Sequence, residues 1–154
     1  MTKETLKTLI QGIVQKSCEL KNKHTTEKNA QVNYAAIFSQ SEKEYNEIYE
    51  LVKQIGKVAQ NTPTGDLFEI EGIDTGSGTL RLLKIRKPDA TRPEWGDADF
   101  TVADYLAFKN TYLLKPGFKL IEREDFEMIE LTDPTFNVRV YFSHPPLDKQ
   151  LGLK

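Results

Sequence analysis

Residues 92–105, RPEWGDADFTVADY, begin a pattern that the chain has already used once. DADFTV alternates acidic and apolar side chains, the period-2 signal of a strand with two different faces. Ala98, Phe100 and Val102 form the apolar face, and Asp97, Asp99 and Thr101 the polar one. ADYLAFKNTYLL then carries Tyr105, Phe108 and Tyr112 on one side of a helix, KPG stops it, and extended pieces follow in FKLIERE, FEMIELTD and NVRVYFSH. Two acids at a spacing of two share one strand face and need partners on it.

The same order of elements lies upstream. VNYAAIFS reads as a strand and SQSEKEYNEIYELVKQIGK as a helix, with Ser41 and Glu44 as a capping pair. Its buried stripe is Tyr45, Ile48, Val52 and Ile55, and Gly56 ends it. Three extended pieces come next in KVAQ, DLFEIEGI and TLRLLKIR, separated by Pro63, Gly65, Gly76 and Gly78. Laid without a gap on residues 126–146, residues 68–88 set Phe68 on Phe126, Glu69 on Glu127, Arg81 on Arg139 and Pro88 on Pro146. The apolar positions stay in phase through this overlay, so an internal duplication is predicted.

The predicted fold class is therefore α+β, with one domain made of two tandem βαβββ units at residues 31–88 and 96–146. Residues 1–30 add a helix and linker. That helix carries Leu6, Leu9, Ile10, Ile13, Val14 and Cys18 at three-and-four spacing. At 154 residues the chain can bury a core without disulfides or metal staples. Its 21 basic and 23 acidic residues leave a net charge of −2, with no basic excess of the kind that binds nucleic acid. No apolar run approaches a membrane span, and the N-terminus is amphipathic rather than a signal peptide. The single cysteine fits a reducing compartment, so a cytoplasmic protein is expected, with no nucleic-acid or membrane partner.

The duplicated strand-helix-three-strand order across residues 32–146 resembles the vicinal oxygen chelate superfamily, the fold of glyoxalase I, extradiol dioxygenases and bleomycin-resistance proteins. That resemblance implies paired, curved mixed sheets around a concave cleft that holds the ligand. It also implies metal ligands from His, Gln or Glu on the first and last strand of each unit. Here the first strands offer Asn33, Tyr34, Asp97 and Asp99, and the last strands Arg81 and Arg139. A pair of arginines opposes a bound cation, so neither a metal nor another cofactor is expected. A ferredoxin-like sandwich is the other α+β reading, and it needs fewer strands.

Alternation places Asp97, Asp99, Arg139, Tyr141 and Ser143 in the concavity, and the repeat adds Arg81. Two readings of this cluster stay open. In one, the acids pair with Arg139 and Arg81 as a structural network. In the other, Arg81, Arg139 and Ser143 bind a small anionic ligand, while Asp97 or Asp99 acts as acid or base beside Tyr141. The first reading suits an interaction module forming a homodimer, and the second a metal-independent enzyme or binding protein. Elsewhere, DTGSGTLRL reads as a hairpin turn rather than a phosphate cradle, because no helix follows it. Lys84, Arg86, Lys87 and Arg92 read as a solvated basic edge, Trp95 as cover for the core, and His144 as part of a surface tail.

Overall fold

The computed structural model describes residues 1–153 as a single eight-stranded, curved and unclosed mixed sheet with four helices. In chain order the elements are α1 (Lys3–His24), β1 (Gln31–Phe38), α2 (Glu42–Val52), β2 (Gly56–Gln60), β3 (Gly65–Thr75) and β4 (Gly78–Arg86). The second half follows as β5 (Gly96–Thr101), α3 (Tyr105–Tyr112), β6 (Phe118–Glu122), β7 (Glu127–Leu131), β8 (Val138–His144) and α4 (Leu147–Gln150). Strand-helix-three-strand thus occurs twice. The strand order β2-β3-β4-β1-β5-β8-β7-β6 reads alike from both edges. In each half the first and last strands are parallel neighbours, β1 with β4 and β5 with β8, and β1 joins β5 antiparallel at the centre.

Local chemistry sets these elements. Thr2 and Thr5 cap α1 reciprocally, and Leu6, Ile10, Ile13, Val14 and Leu20 form its buried stripe. Ser41 Oγ accepts the Glu44 N–H at the start of α2, while Glu44 returns its carboxylate to the Gln40 N–H. Asp104 caps α3 by accepting from Ala107 N–H at 3.1 Å. The turn between β3 and β4 is a tight hairpin in which Gly78 takes a φ of 105°, open chiefly to glycine.

Helices α1, α2 and α3 cover one face of the sheet, and the short α4 lies on the other, over β1. Helix α1 lies across β1, β3, β5 and β8, and α2 across β4. Ala35, Ile37, Ala98, Phe100, Val138, Val140 and Phe142 fill this face, and α3 contributes Phe108, whose ring is 4.4 Å from that of Phe142. Gly96 is required where β5 meets β1, because a Cβ there would collide with the Ala36 carbonyl oxygen. Alternation turns the neighbouring residues to the opposite, concave face, which carries the polar groups.

Candidate ligand-binding cleft

The cleft is built on the two central strand pairs. The β1–β4 ladder sets Ala36 beside Lys84 and Phe38 beside Arg86. The β5–β8 ladder sets Asp97 beside Arg139 and Asp99 beside Tyr141. A cavity of about 330 Å³ over these strands is lined by Tyr34, Lys84, Arg86, Arg92, Asp97 and Tyr141, with Thr64, Ile121, Arg123 and Met128 at its sides. It adjoins a second cavity of about 430 Å³ that shares Tyr34, Lys84, Arg123 and Met128.

Asp97 and Asp99 lie together on this face with Tyr141 and Ser143, all four buried. Asp99 is fully enclosed, and Ser143 Oγ donates to its Oδ2. Burial holds the Asp99 carboxyl well above its ordinary value, and the nearby Asp97 pushes it further up, against the Ser143 hydrogen bonds. Asp97 Oδ1 is buried without a hydrogen-bond partner. Burial raises the Asp97 pKa to about 7, although Arg92, Lys84, Arg86 and Arg139 all favour its charged form. The Tyr141 hydroxyl donates to Glu130 Oε2 at 2.6 Å and accepts from Arg92 Nη1 at 3.2 Å.

Arg139 is not a partner of these aspartates. Its Nε donates to Glu94 at 2.9 Å and its Nη1 reaches Glu130 at 3.4 Å. The linker before β5 and the middle of β7 supply both counter-charges. Arg81 is not in this cavity. It is exposed beside the register break between Glu69 and Ile73 of β3, in a separate cavity of about 260 Å³ with Glu69 and Asp148. The ungapped repeat overlay slips β4 by one residue against β8. It sets cleft-facing Tyr141 on Leu83, which belongs to the helix-covered core. A network in which Asp97 and Asp99 neutralise Arg81 and Arg139 is therefore not formed.

Of the four cations that line the cavity, Lys84, Arg86 and Arg92 are those expected at a solvated edge, and Arg123, just after β6, was not singled out. Lys84 and Arg86 alternate with the buried Leu83 and Ile85 on β4, and Arg92 comes from the linker. Lys87 is exposed and does not line it. Lys84 Nζ donates to Thr64 Oγ1 at 2.7 Å, a neutral acceptor. Burial lowers the Lys84 pKa to about 8, and the charges of Arg86 and Arg92 push the same way. Arg86 reaches Asp89 at 3.6 Å, but its buried Nε has no partner. The alternation in LLKIR was the signal for this cluster, and matching Arg81 to Arg139 concealed it.

Three further residues stand outside this cavity. Asn33 exchanges side-chain and backbone hydrogen bonds with Asp148 of α4, at 2.8 and 3.2 Å, and holds that helix over β1. Trp95 is half exposed, and its backbone, not its ring, links β1 to Asn137. His144 ends β8 stacked on the Tyr105 ring at 4.6 Å. Among the described residues no three His, Cys, Asp or Glu side chains converge as a metal would need. None of the described helices is long and apolar enough to cross a membrane.

No protein-family description matches the chain, and no curated protein does so. A solved structure described as structural genomics Protein EC4020 is similar in fold, with a TM-score of 0.74 over 97% of this chain and 91% of the other, at 11% identity. That likeness concerns the fold alone.

Proposed function

We propose that this protein is a glyoxalase-like member of the vicinal oxygen chelate group that binds a small anionic molecule in the concave cleft. On this reading it works without a metal, as an enzyme or as a binding protein. The supporting observation is the convergence of Lys84, Arg86 and Arg92 on one cavity whose own carboxyl, Asp97, is held near half-protonation at neutral pH. Packing three like charges together is costly unless something neutralises them, and Asp97 does so incompletely. An entering carboxylate or phosphate completes the compensation and accepts the guanidinium and ammonium hydrogen bonds. The same cations oppose a bound metal ion.

The duplicated βαβββ order and the central β1–β5 pairing support the family assignment. Asp97 is the group suited to proton transfer, because a general acid or base works best with a pKa close to the working pH. Tyr141, held between Arg92 and Glu130, presents a hydroxyl beside it. Asp99 and Ser143 support β5 against β8 beneath the ligand.

Isothermal titration with inorganic phosphate and with acetate tests this reading. Binding is expected to weaken at least about tenfold in Lys84→Met and in Arg92→Met, and to stay unchanged in Arg81→Met. Loss of binding in Arg81→Met alone, or no binding of either anion to the natural protein, contradicts it.

A further inference from the structure

The two adjoining cavities have opposite character. At one end stand Lys84, Arg86, Arg92 and Asp97; at the other, Leu67, Phe126, Met128 and Leu147, with Pro63 beside them. Tyr34, Lys84, Arg123 and Met128 line both, so the two share a wall. The apolar end is bordered by α4, whose Leu147 and Gln150 form part of its wall. This helix is anchored to β1 by the Asn33–Asp148 pair, and Gln150 Nε2 donates to the Pro145 carbonyl just before it at 2.7 Å.

From this geometry we infer that the ligand is an amphiphilic acid, with its carboxylate or phosphate at Lys84 and Arg92 and an apolar ring or short branched chain between Leu67, Phe126, Met128 and Leu147. The inference rests on the anion-binding reading of the same cleft and adds the nature of the ligand's other end. Each cavity falls in the range of small-ligand pockets, which join a largely apolar lining to a few fixed polar groups. A free inorganic anion would leave the apolar end without an occupant. A ligand lacking charge would leave the cations uncompensated. Lys84 stands at the junction, so a single acidic group there fixes the direction of entry, head toward Asp97 and body toward α4.

The test is calorimetric titration of the full chain with acetate and with 3-phenylpropionate, which share a carboxylate and differ in apolar body. Phenylpropionate is expected to bind more than about tenfold more tightly, because its ring leaves water. Phe126→Gln and Leu147→Gln are expected to bring the two acids within about threefold of each other while acetate binding is retained. Retained acetate binding also shows that the variants have folded. Lys84→Met is expected to lose both acids. Equal binding of the two acids by the natural protein overturns the amphiphile and leaves the anion site standing, as does a preference that survives both glutamine variants. Failure of both acids to bind overturns both readings.

Discussion

The Asp97 carboxyl lies near the start of β5, 5% exposed, with Oδ1 unpartnered, among Lys84, Arg86, Arg92 and Arg139, none of which forms an ion pair with it within the described residues. Burial raises its pKa to about 7 from an ordinary value of 3.8. Between those values the folded state holds a proton that the unfolded chain has released. The stability contributed by the protonated carboxyl is therefore fully present below about pH 4 and is lost as the pH rises through 7. Asp97→Asn removes that loss. It is expected to stabilise the protein by on the order of 2–4 kcal/mol at pH 8 and by much less at pH 4. Denaturant unfolding of both proteins at the two pH values checks this, together with anion binding, which the variant should retain. The acid pair itself was legible in the sequence, because strict alternation in DADFTV fixes its face. Its surroundings were not, since the loop carrying Arg92 and the neighbouring strand β4 reach it only through tertiary pairing.

The strands explain why Arg139 and Arg81 part company. In β8, Arg139 lies beside Asp97 in the ladder, yet Glu94 and Glu130 approach it from the linker and from β7. Burial alone would lower the Arg139 pKa, but the Glu94 hydrogen bond and the neighbouring Tyr141, Glu94 and Glu130 charges raise it. Arg139→Met strands two partly buried carboxylates. It is expected to cost about 1–3 kcal/mol, less than for a fully buried pair, with anion affinity reduced no more than about threefold. Thermal unfolding and calorimetry on that variant check both numbers. A large affinity loss with unchanged stability would return Arg139 to the ligand. The order of elements was readable from hydrophobic period and turn residues, and the strand faces of β5 and β8 from alternation. The register between halves was not, because the bulge in β3 lies in a stretch whose apolar pattern tolerates a one-residue slip. Helix α4 escaped notice for a different reason: four residues after two prolines carry too short a pattern, and the Asn33–Asp148 pair that holds the helix spans most of the chain.

At the scale of the whole molecule, the two halves put their first strands together at the centre and their hairpin arms outward. The concave face is formed by both units: Lys84 and Arg86 come from the first, Arg92 from the linker, and Asp97, Asp99 and Arg123 from the second. Neither unit alone contains the cleft. The most direct test of that arrangement is an NMR titration of the Asp97 side-chain carboxyl carbon, with and without saturating phosphate, using Asp97→Asn to assign the signal. The account predicts a midpoint near pH 7 in the free protein, moving upward when the anion binds, because a neighbouring negative charge disfavours the carboxylate. A midpoint near the ordinary carboxylate value of about 4, unmoved by phosphate, would mean that Asp97 is a satisfied structural ion and would contradict the account.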